Sequence, residues 1–80
     1  MDFADALKIL YKGDPVKNVN WNGKGMYLVL MKPGSDEGAP VICLCMPDDH
    51  PHYPHKVIPW TPSQLDLMSD GWEVVNGEVA

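Results

Sequence analysis

Three groups of residues in this 80-residue chain have the types and spacing to do chemistry. The first is Trp21-Asn22-Gly23-Lys24-Gly25-Met26-Tyr27-Leu28, a large aromatic before a glycine turn with one lysine, then a second aromatic. An aromatic ring can carry a nucleobase, and such stacking contributes about 1–3 kcal/mol per base. Successive N–H groups of Asn22, Gly23, Lys24 and Gly25 could form a nest for an anion beside the one cation, although the same residues also read as a bare hairpin turn. The second group is Pro59-Trp60-Thr61-Pro62-Ser63-Gln64-Leu65-Asp66. It offers another indole, helix-start N–H groups at Ser63 and Gln64 that favour an anion, and a carboxylate at Asp66 able to accept from a sugar hydroxyl or an amino group. Plain capping and a solvated helix face are the blander readings of the same residues.

The third group is Asp48, Asp49, His50, His52 and His55 in one loop, after Cys43 and Cys45. Its spacings are Cys-x-Cys, His-x-His and His-x2-His, whereas zinc sites prefer Cys-x2–4-Cys and His-x3–5-His. A polar loop stiffened by proline explains it better, and no metal is expected. No Ser-His-Asp or Cys-His arrangement has local support, and no paired carboxylates flank an evident cleft, so an enzyme is not expected.

Composition narrows the classes further. The net charge is −5, from six lysines, no arginine and eleven acids. That excludes a basic face for nucleic-acid polymers and leaves room for a small anionic ligand. The acidic start, Met1-Asp2-Phe3-Ala4-Asp5, is unlike a secretory signal, and no apolar run reaches membrane-spanning length. Cys43 and Cys45 fall on one face of a strand, too close along one backbone for a favourable disulfide, which points to reduced thiols and a cytosolic setting. Residues 1–80 read as a single domain with a thin core, because a chain this short buries only about 60–65% of its extended surface. With 45% apolar residues and three tryptophans, some of that surface is expected to close against another subunit.

The elements that must position these groups follow from periodicity. Phe3, Ala6, Leu7 and Leu10 make one stripe of a helix over residues 2–12, which Gly13 stops. Residues 16–21 read as a short strand, and Asn22-Gly23 as the turn that sets Trp21 beside Met26 and Tyr27. Residues 26–32 are apolar on both faces and are expected to be a central strand covered on both sides. Residues 32–40 are a loop, 41–46 a third strand, 47–55 an irregular exposed loop, and 56–59 a brief extended piece. Thr61 as N-cap, Pro62 at N1 and Gln64 at N3 predict a second helix with Leu65 and Met68 facing inward, ended by Asp70-Gly71. Residues 72–75 form a last strand with Trp72 and Val74 on one side, and the tail from Asn76 frays. The fold class is α+β: a small antiparallel sheet, an N-terminal helix, and a short second helix before the last strand.

The two tryptophan stretches, the close on Asp70-Gly71-Trp72-Glu73-Val74-Val75, and the helix Phe3-Ala4-Asp5-Ala6-Leu7 followed by Lys12-Gly13 together resemble a family of small phage and prophage proteins. Its characterised members are the second class of Thoeris anti-defence proteins. The resemblance covers most of the chain except roughly residues 33–55. It departs from the family before Pro59-Trp60, where a longer family segment is compressed to Tyr53-Pro54-His55-Lys56-Val57-Ile58.

The resemblance implies a sponge. It would act in the cytoplasm of the infected bacterium as a homotetramer, holding glycocyclic ADP-ribose, the signal of a Toll/interleukin-receptor-domain enzyme, in pockets shared between protomers without cleaving it. Some members also sequester cyclic dinucleotides at a separate site. The residues set against that ligand are Trp21, Asn22, Gly23, Lys24, Met26, Tyr27, Trp60, Ser63, Gln64 and Asp66, with no cofactor, no nucleic-acid polymer and no membrane involved. The alternative is a small phage module that contacts a host protein through apolar surface.

Overall fold

The computed structural model describes residues 1–21, 25–32, 38–52 and 54–75. Helix α1 spans Phe3–Lys12. The Asp2 carboxylate caps its start by accepting from the Asp5 N–H at 2.9 Å. Gly13, at φ 100°, ends it in the left-handed conformation that a side chain disfavours. The apolar stripe is used as its spacing predicts: Ala6 and Leu10 are fully buried, and Phe3, Leu7 and Ile9 pack around them.

Five antiparallel strands follow: β1 Val16–Asn18, β2 Tyr27–Met31, β3 Val41–Cys45, β4 Val57–Pro59 and β5 Trp72–Val74. Their spatial order is β4-β3-β2-β1-β5, so the most apolar strand, β2, is central. Pro59 is tolerated because β4 lies at the sheet edge. Registers Val16↔Leu28, Leu28↔Leu44 and Asn18↔Trp72 put Val16, Asn18, Leu28, Leu44 and Trp72 on one face. Helix α1 lies against that face, and Ala6, Leu10, Val16, Leu28 and Trp72 form the core. Met1 extends the sheet edge: its ammonium donates to the Asp70 and Trp72 carbonyls at 3.0 and 2.9 Å, and its carbonyl accepts from the Trp72 N–H.

The structure corrects five expectations. Strand β2 is not covered on both sides. On the face away from α1, Met31, Val41 and Val57 are 52%, 46% and 52% exposed, because one ten-residue helix can cover only one side of the sheet. Strand β1 ends at Asn18, not at residue 21. The Asn18 side-chain oxygen accepts from the Asn20 N–H at 2.9 Å and its carbonyl accepts from the Trp21 N–H at 3.2 Å, which turns the chain off the ladder.

The second helix, α2, spans Gln64–Met68, with Ser63 as N-cap and Asp66 completing the capping box, in place of Thr61 and Gln64. Both frames fit the capping pattern. The Ser63 frame wins because its carboxylate also receives an indole N–H. In that frame Asp66 turns inward, so Leu65 and Met68, expected inside, are 85% and 80% exposed. The helix ends at Met68, before Asp70-Gly71. The Asn22-Gly23 turn, the middle of the loop after β2 and the tail from Asn76 lie outside the described residues.

Gly25 has φ 84°, and a Cβ there would sit 2.8 Å from the Pro47 Cβ. The left-handed backbone alone costs a substituted residue about 1–2 kcal/mol. Gly25→Ala is therefore expected to lower the urea midpoint by at least that much stability, and an unchanged midpoint would show that the Gly25–Pro47 approach is not needed.

Candidate functional site

The site is built around Trp72. This buried ring meets Phe3, Trp21 and Trp60 at centroid distances of 5.3, 5.4 and 5.7 Å, the last two edge to face. Edge-to-face rings place a positive edge on a negative face, which adds about 0.5–1.5 kcal/mol per pair beyond burial. Trp21 and Trp60 thus both pack edge to face with Trp72 and remain partly accessible. The Trp60 N–H continues the ladder to the Ile42 carbonyl at 2.9 Å, and its ring rests on Phe3.

Asp66 ties helix α2 to this cluster. Its Oδ1 accepts from the Trp21 indole Nε1–H at 3.1 Å, and its backbone carbonyl accepts from the Trp72 Nε1–H at 3.0 Å. Its Oδ2 accepts from the Ser63 N–H at 3.0 Å, while its own N–H donates to the Ser63 hydroxyl at 3.1 Å. Burial pushes the Asp66 carboxyl up, but the Ser63 backbone, the Trp21 indole and the Ser63 hydroxyl outweigh it, so the group titrates below its ordinary value. A carboxylate therefore stands at the helix start and takes the Ser63 N–H, and the anion expected near Ser63 and Gln64 would meet negative charge there.

Two concavities border Trp21. The larger, about 660 Å³, opens between the turn after β1 and α2, and Trp21, Asn20, Ser63, Asp66, Met68 and Ser69 contribute walls. Its volume is that of a small-molecule site. Asn20 spans its floor, donating from Nδ2 to the Ser69 hydroxyl at 3.3 Å. The smaller, about 300 Å³, is walled by Trp21, Gly25, Met26, Lys17 and Glu73, with Asn18 shared between the two.

Of the residues set out from sequence, Trp21, Ser63 and Asp66 meet in the larger concavity and Met26 borders the smaller. Trp60 packs on Trp72 and Gln64 lies exposed at the first position of α2, and neither lines either space. Tyr27 pairs across strands with Cys45 on the sheet face away from α1. Burial raises the Tyr27 phenol, helped by Cys45 and Asp48 nearby. Asn22, Gly23 and Lys24 lie outside the described residues. Sequence reasoning missed Lys17, Asn18, Asn20 and Ser69. The Asn18-x-Asn20 turn signal just ahead of Trp21 was the available clue.

The histidine loop is organised by its backbone. The Pro47 carbonyl accepts from the His50 and His55 N–H groups, and His55 Nδ1 lies 2.8 Å from Asp48 Oδ1. Among the described residues, no three His, Cys, Asp or Glu side chains converge as a metal site would need.

Because Asp66 titrates low in the folded chain, its contribution is complete above the unfolded carboxyl pKa, about 3.9, and is lost as pH falls through the folded value. Asp66→Ala should cost about 1–3 kcal/mol near neutral pH through the lost hydrogen bonds from the Trp21 indole and the Ser63 N–H. The gap in melting temperature from the parent should close in acid. A gap that persists unchanged at the acid end would contradict this role.

The family model of the Thoeris anti-defense 2-like domain matches residues 1–75. Thoeris anti-defense 2 of Bacillus phage SP01 is 30% identical over 91 aligned residues, covering 95% of this chain and 96% of that protein. The aromatic cluster and the helix that Asp66 fastens to it are thus the frame of a phage anti-defence protein, and the chain belongs to the Thoeris anti-defense 2-like family.

Proposed function

We propose that this protein counters Thoeris defence as a sponge: it binds glycocyclic ADP-ribose at the Trp21 concavities and holds it intact. Family membership supports the anti-Thoeris role. The observation that carries the binding reading is the placement of Trp21, a partly accessible indole with its Nε1–H fixed by Asp66, on the wall of a space of about 660 Å³. A ring held in one orientation can stack a purine without first paying ordering entropy. Around it, the Asn20 amide and Ser69 hydroxyl can exchange hydrogen bonds with ribose hydroxyls. Among the described residues of these walls, no hydroxyl or thiol is hydrogen-bonded to a histidine or lysine that could activate it, which favours holding the ligand over cleaving it.

A sponge must outcompete the host receptor at stoichiometric amounts. That requires low-nanomolar affinity, about −12 kcal/mol. The protein acts in the cytoplasm of the infected host, where the signal is made. No helix among the described residues is long and apolar enough to cross a membrane. It works as a homo-oligomer, a tetramer by the resemblance, and the apolar sheet face bearing Met31, Val41 and Val57 is the surface that self-association would cover.

The direct test mixes protein with glycocyclic ADP-ribose, removes free ligand by filtration, and analyses what heat denaturation releases. Intact ligand released only after denaturation is the expected result, and it should be lost in folded Trp21→Ala. A cleaved product would make the protein an enzyme. Ligand left in the first filtrate would turn attention to a protein partner. For the assembly, Met31→Lys is expected to yield smaller particles by light scattering with little change in melting temperature. An unaltered particle mass would place the interface elsewhere.

A further inference from the structure

We propose that Lys17 is the phosphate-binding cation of this site and that Glu73 holds it in the unliganded protein. The proposal rests on the binding reading above and adds to it a direction for the ligand. Among the described residues lining the two concavities, Lys17 is the one cation, and it borders the smaller space together with Trp21, Gly25 and Met26. The larger space carries the carboxylates of Asp66 and Asp70. Near Ser63 the capping box takes the Ser63 and Asp66 N–H groups and sets the Asp66 carboxylate beside the helix start, so a pyrophosphate placed there would face negative charge. Trp21 and Asn18 form walls of both spaces, so a ligand can bend around the indole edge. Its nucleoside then lies toward Asn20 and Ser69, and its phosphates toward Lys17.

Lys17 is also free to change partner. It stands opposite Glu73 in the β1–β5 register, and Nζ lies 3.5 Å from Glu73 Oε1. Both side chains are about half exposed, and ion pairs at such positions contribute little to stability. A doubly charged pyrophosphate competes well with a single solvated carboxylate for that ammonium. Glu73 would then oppose binding, because it neutralises the cation before the ligand arrives and repels the phosphates afterwards.

Opposite signs distinguish this role from a structural one, since Lys17→Gln and Glu73→Gln break the same ion pair. Calorimetric titration of the full chain with glycocyclic ADP-ribose, at about 50 and about 500 mM salt, is the measurement. Lys17→Gln is expected to weaken binding ~10-fold at low salt and to lose most of the salt dependence, while Glu73→Gln tightens binding about 3-fold, each with an unchanged melting temperature. Binding by the parent with both variants shifted in the same direction, or with neither shifted, would overturn the assignment while leaving the sponge reading intact. A parent protein that fails to bind would overturn that reading and this one with it.

Discussion

Helix α2 has no buried residue of its own, so what fixes it is the pair of indole N–H groups that converge on Asp66. Trp21 donates to its carboxylate and Trp72 to its backbone carbonyl. These two bonds orient three things together. They aim Asp66 inward, they set the rotation of α2 so that Leu65 and Met68 face outward, and they hold the Trp21 ring at the rim of a concavity. A buried indole N–H left without an acceptor would cost about 1–3 kcal/mol, so the arrangement is difficult to rotate away from. The capping box adds the Ser63 N–H to the same carboxylate and returns the Asp66 N–H to the Ser63 hydroxyl.

The sheet supplies what this clamp needs. Pairing of Asn18 with Trp72 brings the end of β1 beside the start of β5, and the Val19 N–H bonds to the Gly71 carbonyl just beyond it. A side chain at Gly71 would approach Val19 and Asn20 to 2.8 and 3.1 Å, so glycine is what allows this contact. The chain leaves the ladder at Asn18 and delivers Trp21 over the ring of Trp72. The ring cluster is therefore core and, in the function proposed, also the wall against which ligand would lie. Trp72 is buried for packing, and Trp21 uses it as a support while keeping part of its own surface accessible. This division suits a short chain, in which few residues can be given to binding alone.

Much of this was legible in the residues. The stripe Phe3, Ala6, Leu7, Leu10 and the Gly13 stop specified α1, and the apolar run from Tyr27 to Met31 specified a central strand. Of the ten residues that the resemblance sets against a ligand, Trp21, Ser63 and Asp66 line one concavity. The failures have physical causes. Two overlapping capping patterns, Thr61 with Gln64 and Ser63 with Asp66, are equivalent locally, and a contact from Trp21, forty-five residues away, decides between them. The helical period predicted a buried Leu65 and Met68, but a five-residue helix follows its polar anchors more than its period. The early end of β1 depended on a side-chain bond from Asn18 to its own backbone two residues on, which strand propensity does not register. Lys17, the cation proposed for the ligand, carries no signal in the sequence because register sets it opposite Glu73 and in one concavity with Trp21.

The central claim is that ligand binds against Trp21 while Trp72 remains structural. The indole N–H resonances of the two residues test this directly, because each is hydrogen-bonded to Asp66 and each reports its own ring. In a ¹⁵N-labelled protein titrated with glycocyclic ADP-ribose, the Trp21 indole resonance should shift strongly at saturation and the Trp72 resonance should move little. Saturable binding that leaves the Trp21 resonance in place would contradict the account and put the ligand elsewhere on the molecule.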